Sequence, residues 1–355
     1  ISKEEFFQVP FVNELKLKAS YGKVGNDAVG AYAYQGGYVQ NNNAQEPGYI
    51  YAVIPNKDLT WESLNNLNAG VEFSLFKDRL SGYVQYYNKV SSGLVFAVPQ
   101  PLSDGGTPSG AYSIWQNIGS MYNRGFEASL TGAVITGKKF GWQMTVNAST
   151  LQNRITKMPE TNKEIISGTK KLSVGHSIYD YWLIGYKGVD PANGDALYEL
   201  DPSKPFAGGF PDDYPDKNIN GVNYTTTTSR AKYDYRGSAI PDLYGSWRNE
   251  WRYKNFSLDM LCTFQVGGLA YDNIYASMMQ PSFGQSMASD IEKRWQNTGD
   301  QTDVPRLDYG RTGDFYGSSD RWLISATSLT VNNINLNYSF NSSVLQRLKI
   351  AGLQT

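Results

Sequence analysis

The chain has 355 residues and a net charge of −1, with 18% charged and 14% aromatic residues. That balance excludes the basic surface of a nucleic-acid binder. One cysteine, Cys262, and one histidine, His176, exclude an internal disulfide and any zinc-ligand spacing. No run of about 18 apolar residues is present, so no transmembrane helix is expected; barrel strands need only about 9–11 tilted residues, half of them polar. The 26 tyrosines and 35 glycines favour strands, turns and amphipathic interfaces over helix bundles.

The start, ISKEEFF, shows no signal peptide. Leu15, Leu17, Ala19 and Tyr21 then alternate with Lys16, Lys18 and Ser20, which predicts a strand. A Gly/Asn-rich loop follows, with a short strand expected over Tyr49 to Ile54. Leu67, Ala69, Val71, Phe73 and Leu75 share one face of the next strand, opposed by Asn68, Gly70, Glu72 and Ser74. Lys77, Asp78 and Arg79 make a turn. Leu80, Val84 and Tyr86 return opposite Ser81, Tyr83, Gln85 and Tyr87. This hairpin is the unit that much of the chain repeats.

Pro99, Pro101, Gly105, Gly106 and Pro108 mark a loop. Phe126, Ala128, Leu130 and Val134 form one strand face, Thr136 to Lys139 turns, and Phe140, Trp142, Met144, Val146 and Ala148 form the next. Residues 150 to 240 read mostly as loop, too long for a compact soluble domain but normal on one side of an outer-membrane barrel. Strands are expected over Leu243 to Tyr253 and Phe256 to Val266, around the turn Lys254-Asn255. Residues 270 to 325 read as a second excursion, with a short helix within Tyr271 to Met279. Ile334, Leu336, Tyr338 and Phe340 alternate with asparagines and Ser339, and Leu348 to Ala351 begins one more strand. Cys262 reads as a small apolar strand residue and His176 as a loop residue.

Four segments, 15–21, 67–75, 140–148 and 334–340, alternate without a break; a random chain of this composition gives roughly two such runs. Placement adds weight. Very short turns (FKDRL, ITGKKF, RYKNF) join the pairs at one end and long loops join them at the other, the outer-membrane barrel pattern. Aromatics collect near the expected strand ends: Tyr86, Tyr87, Phe140, Trp142, Trp251, Tyr253, Phe256, Tyr338 and Phe340. The fold class is therefore all-β, a membrane-spanning antiparallel β-barrel. A soluble all-β binding or adhesion module is the alternative.

PNKDLTWESLNNLNAGVEFSLFKDRLSGYVQYYNK (Pro55–Lys89) resembles a segment of the SusC/RagA family of TonB-dependent outer-membrane transporters of Bacteroidota, matching at Pro55, Leu59, Trp61, Glu62, Tyr86, Tyr87 and Asn88. NIGSMYNRGFEASL (Asn117–Leu130), GYKGVDPANGDALY (Gly185–Tyr198), RWQNTGDQTDVPRL (Arg294–Leu307) and RWLISATSLTVNNINLNYSF (Arg321–Phe340) resemble later family segments, in family order. The resemblance implies a 22-stranded barrel, of which residues 1–355 supply roughly ten C-terminal strands. On that expectation the signal peptide, N-terminal accessory domain, TonB box, plug and last strand lie outside the sequence. It also implies TonB-dependent import of a large nutrient, a glycan or oligosaccharide or a peptide, across the outer membrane. A SusD-like surface lipoprotein would be the lid, TonB–ExbB–ExbD would act through the absent N-terminal region, outer-membrane lipid would surround the wall, and two transporter–lid units could pair as a dimer.

Tyr and Trp stack on sugar faces and carry a polar tip, so the loop aromatics Tyr112, Trp115, Tyr181 and Trp182 are candidates for substrate contact. Asp190, Asn193 and Asp195 invite a calcium reading, but Ala192 and Gly194 break the ligand spacing, and a Gly-containing turn fits better. An outer-membrane barrel enzyme is the least favoured alternative. A Ser–His device would have to use His176, and no G-x-S-x-G elbow exists. No catalytic residue, metal or cofactor is expected.

Overall fold

The computed structural model describes residues 4–340 apart from 5, 6, 8, 28–31, 44, 45, 102, 104, 105, 108, 109, 160–162, 206–215 and 282–283. The predicted strand at Leu348 to Ala351 lies outside the described residues.

The main element is a nine-stranded antiparallel sheet. Its path runs through Val12–Asn26, Glu62–Leu75, Leu80–Pro99, Ser113–Thr136, Phe140–Ser149, Leu243–Tyr253, Phe256–Val266 and Ser328–Tyr338, each paired with the next; Gln152–Lys157 adds to Ser113–Thr136. The alternating segments found in the sequence fall in this wall, the last of them running two residues past its strand's end at Tyr338. Turns at 76–79, 137–139 and 254–255 close one end, while the connections at the other are longer, from residues 100–112 to residues 150–242. The first turn is tight: Phe76, Lys77 and Asp78 all have positive φ, at 55°, 57° and 63°. Asp78 is held by Ser74 Oγ, which donates to its carboxylate at 2.5 Å, and Asn13 Oδ1 accepts from the Lys77 N–H at 2.7 Å.

The two faces of the wall differ in kind. Leu67, Val84, Phe126 and Leu130, on interior strands, lie on the apolar face and are exposed, Phe126 at 57%. A coherent exposed apolar face of this extent is the signature of a surface made for another apolar phase. On the opposite face, polar groups satisfy each other across the strands. Lys18 pairs with Glu72, Gln85 donates to Glu127 at 2.6 Å, Thr131 and Thr145 share a bond of 3.0 Å, and Asn147 donates to Ser246 at 2.9 Å.

At the short-turn end the register lines up Phe140, Tyr253, Phe256 and Tyr338 across four strands, with Trp142 beside Trp251 one step further in. Phe256 and Tyr338 centroids are 4.8 Å apart, and Tyr338 and Phe340 are 5.0 Å apart. This is an aromatic girdle, as expected. Tyr86 and Tyr87 do not belong to it. Their strand runs to Pro99, which puts them mid-strand, and Tyr87 is buried on the polar face with its hydroxyl donating to Thr150 O at 2.9 Å.

The segments read as loop are not unstructured. Residues 164–238 hold short strands that form two small sheets, Glu164–Ser167, Lys170–Ser173, Asp180–Ile184 and Tyr233–Ser238 in one, and Tyr186–Val189, Ala196–Glu199, Val222–Thr225 and Lys217–Ile219 in the other. Leu269–Tyr271 pairs with Leu323–Ser325, and a helix spans Asn273–Met279, capped by Asp272. These pieces share a buried core of Ile184, Tyr198, Met279, Phe315, Tyr316 and Trp322. Burying an aromatic of that size contributes about 2–3 kcal/mol. A soluble-type core therefore sits in the loop layer, while the wall leaves its apolar face uncovered.

Candidate functional site

Two surfaces gather the aromatic residues that could meet a solute. The first is an open cleft of about 620 Å³ in the loop layer, lined by Met158, Lys163, Lys171, His176, Trp182 and Tyr235 among others. Its floor is built by strand pairing: Trp182 stands directly opposite Tyr235, so both rings share a face. Their centroids lie 4.9 Å apart in an edge arrangement, and Tyr235 stacks on His176 at 3.5 Å, nearly parallel. Lys171 Nζ sits 4.0 Å from the Trp182 ring and 2.8 Å from Glu164, so its charge is balanced from both sides. The Ser173 and Tyr235 hydroxyls share a hydrogen bond of 2.5 Å.

Beneath this floor Lys170 is half-buried. Its Nζ donates to Tyr179 O at 2.5 Å and lies 3.1 Å from the Tyr181 ring centroid. Burial pushes its pKa down to about 8, because the charged form loses its water. His176 Nδ1 faces Asp180 Oδ2 at 3.5 Å. The neighbouring hydroxyls are engaged elsewhere: Ser177 Oγ donates to Asn153 Oδ1 and Ser173 bonds Tyr235. The arrangement offers stacking surface and balanced charge for a polar solute.

The second surface is the hairpin Gly37–Asn43 and Glu46–Val53. Tyr38 pairs with Tyr51 and Gln40 with Tyr49, which puts all four on one face. Tyr38 and Tyr51 stack at 4.5 Å, and Tyr112 meets Tyr51 edge-on at 6.1 Å. A hydrogen bond with Tyr51 raises the Tyr38 pKa. The hairpin is tied to the wall through Asn56, whose N–H donates to Tyr34 O at 3.1 Å and whose Nδ2 donates to Trp115 O at 2.7 Å.

The four aromatics singled out from the sequence thus divide between the two surfaces. Trp182 lines the cleft. Tyr181 lies under it, 7% exposed, with its hydroxyl accepting from the Tyr271 N–H at 3.2 Å. Tyr112 and Trp115 support the hairpin. None of Trp115, Tyr181 and Trp182 is in a loop: the first is in strand Ser113–Thr136 and the others in Asp180–Ile184. The sequence reading passed over Lys171, Tyr235 and the hairpin tyrosines. For the hairpin a signal existed, the spacing of two in Tyr38, Gln40 and Asn42.

The Asp190–Asp195 segment is a turn. Asp190 Oδ1 accepts from the Ala192 N–H at 2.9 Å, and Gly194 has φ 79°. The carboxylates are held by cations: Lys217 Nζ lies 2.5 Å from Asp190 and 3.5 Å from Asp195, and Arg306 and Arg311 reach Asp195 at 3.3 and 3.6 Å. Arg306 and Arg311 also reach Asp308 at 3.1 Å and Asp314 at 3.5 Å, so the aspartates here are engaged in a network of ion pairs.

Two motif segments far apart in sequence also meet. Asn117 Oδ1 accepts from the Thr60 N–H at 2.7 Å, while its Nδ2 donates to Thr60 O at 2.6 Å and Gly93 O at 2.8 Å. Glu62 Oε1 accepts from the Val95 N–H at 2.8 Å. The register between Leu80–Pro99 and Ser113–Thr136 shifts at 92–95, and these two side chains satisfy backbone groups that the bulge removes from the ladder.

A family model described as TonB dependent receptor-like, beta-barrel, matches residues 7–260. The chain is 28% identical to TonB-dependent receptor P39 of Formosa agariphila, over 98% of this chain and 36% of that protein. It is 28% identical to TonB-dependent receptor SusC of Bacteroides thetaiotaomicron, over 96% of this chain and 33% of that one. Among solved structures, the RagAB peptide transporter superposes with a TM-score of 0.79 at 24% identity, covering 99% of this chain and 37% of that one. The chain spans about a third of the length of the curated relatives it matches.

Proposed function

The chain belongs to the TonB-dependent receptor-like β-barrel family, and from that premise we propose that it forms the C-terminal part of the wall and mouth of an outer-membrane nutrient importer. The cargo is a large solute, a glycan or a peptide, taken up with energy from TonB and captured with a SusD-like surface lipoprotein. The role is transport and not catalysis. The observation that carries this reading is the wall itself. Its apolar face is exposed on one side, its polar face is cross-bonded on the other, and an aromatic girdle marks the short-turn end. Such a wall is costly in water and stable in lipid. The Trp182 cleft gives the mouth a place to hold polar cargo before passage.

The test is a pull-down of the whole protein from detergent-solubilised outer membranes, with mass spectrometry of what accompanies it. Co-purification of a surface lipoprotein, and loss of growth on one glycan or peptide source when the gene is deleted, is the expected result. A protein found in the soluble fraction without a membrane partner overturns the reading.

A further inference from the structure

The outward face of the wall changes character toward the long-loop end. Residues directly opposite one another in an antiparallel sheet share a face, so the register reads that face row by row. Beyond Phe126 it sets Arg124 beside Gln152, Arg154 beside Tyr122, and Lys157 beside Ser120, all on the apolar side. Lys23 stands in the row of Arg154, four strands away. The three rows from Tyr21–Gln152 to Gly25–Lys157 carry four cations and no acid, so the patch is not self-neutralised. Glu72 and Glu127 lie on the polar face, taken up by Lys18 and Gln85.

The depth of the patch follows from strand geometry. Arg124 is twelve residues from Thr136, which pairs with Gly141 at the girdle end of the same strand. At about 3.3 Å per residue and a tilt of about 40°, that is about 30 Å along the membrane normal, one hydrocarbon thickness. The cations stand at the second interface, where headgroups lie. Arg124 is held in place: its guanidinium lies 4.5 Å from the Tyr122 ring centroid, and its Nε donates to Gln152 Oε1 at 2.8 Å. Arg124, Arg154 and Lys157 are exposed, and none of them is ion-paired among the described residues. Asp180 and Asp242 line an open cleft beside Arg154 without pairing with it. Arg124 and Arg154 are diagonal neighbours, about 7–8 Å apart, so both guanidinium groups can fork onto one tetrahedral oxyanion. Three cations without an acid suit a phosphomonoester, which carries a charge of about −1.5 to −2, better than a singly charged phosphodiester.

We propose that Arg124, Arg154 and Lys157 form a site on the outward wall for a lipid phosphomonoester of the outer leaflet. The phosphate sits among the three cations, and the acyl chains lie along the exposed Phe126 and Leu67. The inference rests on the importer reading for the lipid-facing wall and goes beyond it in assigning a lipid-headgroup site.

The test is native mass spectrometry of the whole protein in detergent, titrated with monophosphorylated lipid A. Phosphatidylglycerol is the phosphodiester comparison, phosphatidylcholine the zwitterionic one, and inorganic phosphate the soluble competitor. Lipid A binds tightest, and inorganic phosphate at equal concentration does not displace it, because it lacks the acyl chains. Arg124→Gln/Arg154→Gln/Lys157→Gln weakens lipid A binding by about tenfold or more, while Lys138→Gln/Lys139→Gln, in a turn at the opposite end, leaves it unchanged. Arg154→Gln/Lys157→Gln spares the Arg124 stack on Tyr122; it also weakens binding and keeps the parent's compact migration without heating, which separates the loss from misfolding. The proposal is overturned if the triple variant binds as the parent does, if the turn variant weakens binding equally, if the phosphodiester binds as tightly, or if inorganic phosphate displaces the lipid. Failure of the importer reading looks different: the protein is then absent from the outer membrane, whatever lipid it binds once purified.

Discussion

Ser177 Oγ donates to Asn153 Oδ1 at 2.8 Å, and this bond joins the barrel wall to the loop layer. The same Asn153 oxygen accepts from the Ile178 N–H at 3.0 Å, while its Nδ2 donates to Asn123 Oδ1 at 2.8 Å on the neighbouring wall strand. Asn153 is 3% exposed, so each of these bonds is made away from water. Backbone bonds flank it: the Ile155 N–H donates to His176 O, and the Gly175 N–H donates to Ile155 O, at 2.9 Å each. The cleft floor begins at His176, and its position relative to the wall follows from this junction.

Asn153→Ala removes both side-chain partners and leaves Ser177 Oγ and the Ile178 N–H buried without acceptors. The expected cost is about 1–3 kcal/mol, confined to the junction. Hydrogen exchange of the 175–182 segment will speed up, while exchange in Phe140–Ser149 stays slow. Equal acceleration in both would mean that the junction is not a separate unit.

Asn117→Ala strips the bulge at 92–95 of its side-chain support. The Gly93 carbonyl and the Thr60 backbone lose partners that the irregular ladder cannot replace, at a cost of about 1–3 kcal/mol. Less protein should reach its assembled form, read as the fraction that migrates compactly without heating. Unchanged assembly would show that water replaces the asparagine at that site.

On the outward face, Trp142 Nε1 donates to Asn249 Oδ1 at 3.1 Å, and Asn249 is fully buried. Asn249→Ala leaves an indole N–H facing an apolar environment and lowers stability by about 1–2 kcal/mol. In the Trp142→Phe background the same substitution should cost less, since the donor is gone. A double-mutant cycle in refolding assays checks this; additive effects would contradict the pairing.

The loop layer has a pH window of its own. Glu199 is subject to burial, which raises its pKa, but hydrogen bonds from Arg236 at 2.9 Å and Lys232 at 3.0 Å prevail and hold it down to about 2. Its folded value lies below the unfolded one, so its contribution is present above about pH 4.5 and is lost as pH falls toward 2. Lys170 runs the other way. Its pKa of about 8 lies below the unfolded value, so the unfolded chain binds more protons between about pH 8 and 10 and stability rises across that range. Lys170→Met should remove the alkaline rise and leave the acid limb unchanged. Denaturant unfolding of the loop layer, followed by tryptophan fluorescence, checks this: an alkaline rise that survives Lys170→Met, or an acid limb lost with it, contradicts the assignment.

What the sequence made legible follows from which interactions are periodic. The wall strands bury nothing between sheets and need only place Leu17, Leu130 or Leu336 on one side, so a spacing of two records most of them; Gln152–Lys157, a short strand of the same sheet, reads as loop. The loop layer is built differently. Tyr198 meets Asp314 through its hydroxyl at 2.5 Å, and Thr227 and Thr228 bond the same aspartate at 2.9 Å or more, across about ninety residues of chain. Strands of three to five residues are too short to show a period, so Trp182 and Tyr181 read as loop. The Thr225 to Thr228 run likewise read as a polar tract, though Thr225 and Thr226 are buried. Family resemblance reached segments such as Asn117 and Glu62, but their contact through the bulge needed the fold.

The central claim is that alternate residues of the wall face lipid and water. Single cysteines at Leu130, Ile334 and Leu336, and at Ser129, Asn147 and Asn335, placed in the whole protein with Cys262→Ser, test it in intact outer membranes. A membrane-dissolved photoreagent should label the first three and spare the second three, and a water-soluble maleimide should do the reverse. If the maleimide reacts alike with both sets, the apolar face does not meet lipid, and the barrel reading of this chain is wrong.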